Sequence, residues 1–177
     1  MLVVADTWNA AYPGAAAGAL LMHNAANPER HPALEARKAL LEETLRVRFG
    51  GWNRAALVAL PSIAPYVAYY ARFKKTYHVL LQLESVALKG KSLPSVAALV
   101  EVMFMAELQN HMLPAVHAWA AVEGPVRLDA ATGTESYTLL SNQEQTLKPG
   151  DMFMADARGV ISSVIYGPDA RTRITPA

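Results

Sequence analysis

The chain has 177 residues, 53% of them hydrophobic and 18% charged, with a formal net charge of +1. That length and composition suit one compact domain spanning residues 1–177 and exclude a disordered chain, and the near-zero charge excludes bulk polycation binding of nucleic acid. With no cysteine, disulfides, thiolate catalysis and zinc–thiolate sites are all excluded, and a reducing compartment, the cytoplasm, is the expected location.

Met1 to Asp6 lacks a basic segment ahead of its apolar residues, unlike a signal peptide, and reads as an early strand. After the turn signal Tyr12-Pro13-Gly14, Ala15 to Asn24 reads as a buried strand or a short helix, with strand favoured. Its apolar run, Ala15 to Met22, is far shorter than the roughly 20 residues of a spanning helix, so no membrane partner is expected. From Pro32 to Phe49, Leu34, Leu41 and Leu45 recur at helical spacing and Gly50-Gly51 stops the run. Further helices are expected over Ile63 to Lys75, Val79 to Leu88 and Ser95 to Gln109, the last with a stripe of Leu99, Met103 and Leu108.

Beyond Gly124-Pro125 the pattern changes to short strands: Val126 to Ala130, Glu135 to Leu140, Met152 to Ala155 and Val160 to Tyr166. Helices first and strands afterwards predict an α+β fold, with a helical first part and a small antiparallel β-sheet in the second. The apolar, lightly charged composition also suggests a face for a partner or a second copy, that is, a homo-oligomer.

Two separated stretches carry a family likeness. The first runs His117-Ala118-Trp119, Glu123-Gly124, Val126-Arg127-Leu128, Gly133-Thr134-Glu135 and Tyr137-Thr138-Leu139; the second is the turn Gly167-Pro168-Asp169 after Val160 to Tyr166. In this order they resemble the tRNA-editing (B3/B4) domain of the phenylalanyl-tRNA synthetase β subunit, where a His-Ala-Phe, a Glu-Gly, a Gly-Glu and a Gly-Gly-Glu occupy the corresponding places. The likeness covers about Lys89 to Arg173. The chain departs from the family at Ala97 and Phe104, where members commonly carry asparagine, which would remove polar contacts to an aminoacyl-adenosine.

The resemblance implies a stand-alone B3/B4-like domain that recognises aminoacyl-tRNA or another aminoacyl ester and hydrolyses mischarged tRNA in trans. It is not a complete tRNA ligase, since no adenylate-forming domain is present, and no cofactor is expected. Carried over, His117 would orient or deprotonate a water and Asp169 would hold the substrate's amino group. An aminoacyl ester is already activated, so a positioned water and one or two donors to the oxyanion can suffice. Taken alone, His117 reads equally as a packing histidine beside Trp119, and Asp169 as the acceptor of an ordinary turn.

An RNA-contacting surface could be built from Arg72, Lys74 and Lys75, from Lys89 and Lys91, and from Arg171 and Arg173, with Tyr69, Tyr70 and Tyr77 available for stacking. The first group also reads as the solvated C-terminal end of a helix. Glu107 and His111, four apart on a predicted helix and near His117 in sequence, could form a metal site, but they read more simply as an exposed polar helix end, and no metal is expected. Ser162 and Ser163 lack the flanking glycines of a hydrolase elbow and read as structural, and no phosphate-binding glycine loop is present. Two rival readings stand beside the editing one: a binder of a small amino-acid-like molecule without tRNA activity, and a non-catalytic interaction domain.

Overall fold

The computed structural model describes residues 2–176 and shows an α+β protein whose described chain divides into two compact units. One unit takes the residues up to Ala25 together with Ala115–Ile174; the other takes Ala26–Pro114 and the residues from Thr175. The change from helical to strand-rich sequence at Gly124-Pro125 falls inside the first unit and is not its boundary.

The strand-rich unit opens with β1 (Leu2–Val4) and α1 (Asp6–Ala11). It continues with a 3-10 turn (Trp119–Ala121), β2 (Val126–Ala130), β3 (Ser136–Thr138), β4 (Glu144–Thr146), β5 (Met152–Asp156), β6 (Gly159–Ser163) and β7 (Gly167–Pro168). Five strands form one sheet in the order β1-β2-β5-β6-β7, and β3 pairs with β4 in a separate ribbon. The sheet is mixed, not purely antiparallel: β1 lies parallel to β2, with Val3 opposite Arg127. A parallel neighbour is possible because more than a hundred residues of chain intervene between the two strands.

Alternate residues of the strands point inward, and Ala131, Tyr137, Leu147, Phe153, Ala155 and Val160 form a core over which Leu139 and Tyr166 pack. The turn before β3 requires glycine at position 133: its φ is +103°, and a Cβ there would stand 2.7 Å from Pro149 Cγ. Ala15 to Asn24 is neither strand nor helix. It carries no regular hydrogen-bonding pattern and is exposed throughout, with Leu20 85% accessible. Alanine-rich apolar sequence gave a buried-strand pattern there, but no partner strand takes its backbone groups.

The helical unit comprises α2 (Pro32–Phe49), α3 (Arg54–Val58), α4 (Ala64–Arg72), α5 (His78–Leu83), a π-helical turn (Glu84–Leu88) continuing α5, and α6 (Ala98–Asn110). Proline in its first turn and Arg46 and Arg48 in its last suit α2 to its ends. The short α3 starts at Asn53, whose side chain accepts the Ala56 amide at 3.0 Å. Buried polar groups fasten α2: Lys38 Nζ lies 3.0 Å from Glu101 Oε2 on α6, and Glu42 Oε1 accepts the Leu93 amide at 2.7 Å. Residues such as Phe49, Leu57, Ile63, Leu80, Leu83 and Leu108 are buried around these contacts.

Tyr69, Tyr70 and Tyr77 belong to this interior, being 7%, 2% and 1% accessible, and so are not available to stack on bases. Tyr77 lies 4.5 Å from Tyr66, ring on ring, and burial pushes its phenol pKa well up. Tyr69 and Tyr70 turn inward from α4 and Tyr77 from the start of α5. Among the described residues no helix is long and apolar enough to cross a membrane.

Candidate functional site

In the strand-rich unit the segment before the 3-10 turn is tied to the segment after β7. The Ala118 amide donates to the Thr172 carbonyl at 2.8 Å, and this sets His117 beside the Thr172 side chain. His117 Nδ1 is 2.7 Å from Thr172 Oγ1, a contact spanning 55 residues of sequence. Thr172, fully buried, donates its hydroxyl to Asp169 Oδ1, and its amide donates to the same oxygen at 3.1 Å. His117 and Asp169, singled out separately in the sequence, thus meet through a threonine.

Asp169 is held where it is by its backbone. Its amide donates to the Ile161 carbonyl at 2.9 Å, it bridges to Leu139, and the turn from 169 to 172 closes on its own carboxylate. The ordinary turn role of this aspartate is therefore real. Oδ1 serves that turn; Oδ2 accepts no hydrogen bond among the described residues, with Arg171 Nε 3.7 Å away.

Asp169 also lines a cleft of about 210 Å³ with Ser136, Tyr137, Thr138, Arg158, Val160 and Arg171. Tyr137 is anchored by donating to the Gly167 carbonyl at 2.7 Å. Arg158 reaches Glu123 at 3.2 Å but is largely exposed, leaving its guanidinium open to solvent and to a ligand's anionic or carbonyl oxygen. The wall of the cleft therefore offers hydroxyl, cationic and carboxylate groups within one small volume.

His117 is part-buried, and its Nε2 is shielded from solvent with no hydrogen-bond partner. Burial pulls the imidazole pKa below its ordinary value; Asp169 opposes this, Arg171 reinforces it, and Asp156 opposes it. A neutral imidazole keeps one nitrogen lone pair that can accept a proton, which an imidazolium lacks.

The seven basic residues fall into different circumstances. Lys74, Lys75, Lys91 and Arg173 are exposed, and Arg72 lies over the rings of Tyr69 and Phe73 at 5.9 and 5.7 Å. Lys89 is paired with Glu84 at 2.7 Å, and Glu84 also receives Arg54. Arg171 is built into the fold, donating to the Ala121 carbonyl at 2.5 Å and to Asp156 Oδ1 at 2.9 Å. Arg72 through Lys91 lie in the helical unit, Arg171 and Arg173 in the strand-rich one.

Glu107 and His111 do not form an exposed helix end; they are 2% and 4% accessible. His111 closes α6 at a left-handed φ of +58°, which turns its ring inward to Ser62 Oγ, 2.8 Å from Nδ1, while Glu107 Oε1 lies 3.5 Å from His78 Nε2. Among the described residues no three His, Asp or Glu side chains are grouped as a metal ion would require. Ser162 and Ser163 are buried in β6, and Ser163 donates to Asp151 Oδ2 at 2.5 Å while accepting the Tyr166 amide, a structural role.

Thr172 and Arg158 were missed by reasoning from sequence. A lone threonine in an Arg-Thr-Arg run has no motif, and Arg158 sits in what reads as a plain turn. Compared with protein-family models and with curated proteins, the chain gives no significant match to either.

Proposed function

We propose that the strand-rich unit carries a B3/B4-type site for an aminoacyl ester, such as the aminoacylated end of a tRNA in the cytoplasm, and that it hydrolyses the ester in trans. The observation that carries this reading is the meeting of His117 and Asp169 at Thr172, with Asp169, though not His117, on the wall of a small polar cleft. Asp169 Oδ2, with no hydrogen-bond donor among the described residues, would accept the substrate's ammonium group, while Oδ1 stays with Thr172. His117 Nε2 would hold the attacking water and take its proton as the tetrahedral intermediate forms. Arg158, on the same cleft wall, would face the developing oxyanion.

In this mechanism water's oxygen bonds to the ester carbonyl carbon, the ribose oxygen leaves, and the proton on His117 returns to it. Lys74, Lys75, Lys91 and Arg173 remain as exposed cations for RNA phosphates. Deacylation of tyrosyl-tRNA and of a panel of other aminoacyl-tRNAs by the purified protein tests the reading. Hydrolysis above the spontaneous rate, lost in His117→Ala, supports it; no acceleration with any aminoacyl-tRNA contradicts it.

A second reading, a binder of an amino-acid-like molecule, is favoured by the engagement of Lys89 and Arg171 in internal ion pairs. Salt-independent thermal stabilisation by one free amino acid, without deacylation, would select it.

A further inference from the structure

Which nitrogen of His117 carries the proton is fixed by its neighbours. A carboxylate can only accept, so the close Thr172–Asp169 contact must be a hydroxyl donating to Asp169 Oδ1. The single hydroxyl proton is then committed. Thr172 Oγ1 has lone pairs left, and its 2.7 Å contact to His117 Nδ1 can be a hydrogen bond only if Nδ1 bears the hydrogen.

From this we infer that Thr172 is a positioning residue, holding His117 as the Nδ1–H tautomer and leaving the shielded Nε2 as its bare, basic nitrogen. Thr172 is suited to this because nothing else can re-aim it. It is fully buried, its amide is fixed on Asp169, and its carbonyl receives the Ala118 amide next to His117. The relay runs from a charged acceptor through a hydroxyl to the imidazole, the hydroxyl doing what a directly bonded carboxylate does in a Ser-His-Asp triad. Thr172 occupies Asp169 Oδ1, while Oδ2 faces Arg171 Nε at 3.7 Å.

The catalytic consequence rests on the reading of His117 as the base, but the tautomer does not, so the two are measured separately. Nitrogen-15 NMR of the histidine-labelled protein, above the His117 titration and with His117→Gln to assign its signals, reports which nitrogen is protonated. The expected result is a protonated Nδ1 and an unprotonated Nε2 in the native protein. Thr172→Val, which keeps the shape and removes the hydroxyl, is expected to shift His117 to a mixture of tautomers or to Nε2–H, and Thr172→Ser is expected to restore the native signals. If deacylation is found, Thr172→Val lowers kcat by roughly 10²-fold, the scale of general-base catalysis, with KM nearly unchanged.

A native His117 protonated at Nε2, or averaging between tautomers, overturns the inference even where hydrolysis is observed. A native Nδ1–H signal in a protein that deacylates nothing upholds the tautomer and removes the proposed reaction. Should Thr172→Val fail to fold, the native spectrum and Thr172→Ser still decide the matter.

Discussion

Burial pulls both His111 and His117 below the ordinary imidazole pKa, the first with help from Arg48. A base whose folded pKa is depressed takes up more protons when unfolded, so its neutral form favours folding. That contribution is full above about 6.5, the unfolded value, and is lost as the pH falls from there toward the folded values. Urea midpoints measured from pH 7.5 down to pH 5 are expected to decline, and His117→Gln is expected to flatten the decline. Asp156 acts in the same direction at lower pH. Burial pushes its carboxyl up, but the amides of Glu123 and Arg158 and the Arg171 guanidinium outweigh this and hold it below the usual range, so its contribution disappears only in stronger acid. Little of this could be read from the sequence, because no local signal links Asp156, the last residue of β5, to Arg171, and only the fold places them side by side. The resemblance singled out His117 and Asp169 and gave no sign of Thr172, which the fold places between them.

At the scale of elements, α2 is pinned to α6 by Lys38 and Glu101, whose side chains are 7% and 2% accessible. Removing one partner strands the other without water, so Lys38→Ala is expected to cost about 3–5 kcal/mol in chemical denaturation. Replacing both by apolar residues of similar size should cost far less. At the end of α4, exposed Lys74 adopts a left-handed φ of +57°, which disfavours any side chain. Lys74→Gly is therefore expected to raise stability by about 0.4–1 kcal/mol while weakening any RNA binding, which separates a phosphate contact from a structural role. The helices were legible because leucines at helical spacing and glycine or proline stops coincide. Pro32–Phe49 ends where the pattern ends, and Val79 to Leu88 emerges as α5 with its π-helical continuation. The misread stretch, Ala15 to Asn24, shows the limit of composition: alanine and leucine satisfy a strand or a helix pattern equally, and only a partner for the backbone decides.

For the whole molecule, the α+β class followed from the order of helical and strand-like sequence, but the parallel pairing of β1 with β2 did not. No local signal links Leu2–Val4 to a strand beginning at Val126. A separate long-range contact, the Ala118 amide on the Thr172 carbonyl, brings His117 to Thr172. The charge distribution limits what RNA binding can look like. Lys89 and Arg171 are ion-paired with Glu84 and Asp156, whereas Lys74, Lys75, Lys91 and Arg173 are exposed. If these four make the phosphate contacts, the slope of log affinity against log salt for tRNA should be no steeper than roughly −3.6. A steeper slope, measured by filter binding over a salt series, would mean that other basic residues make the contacts.

The central claim is that His117, aimed by Thr172 and Asp169, activates water against an aminoacyl ester. Single-turnover deacylation of tyrosyl-tRNA as a function of pH tests it most directly. The predicted result is a rate that rises with pH through a titration lying below the ordinary imidazole value and then levels off, with the step abolished in His117→Ala. A rate equal to the spontaneous one, or a pH profile that His117→Ala leaves unchanged, would contradict it.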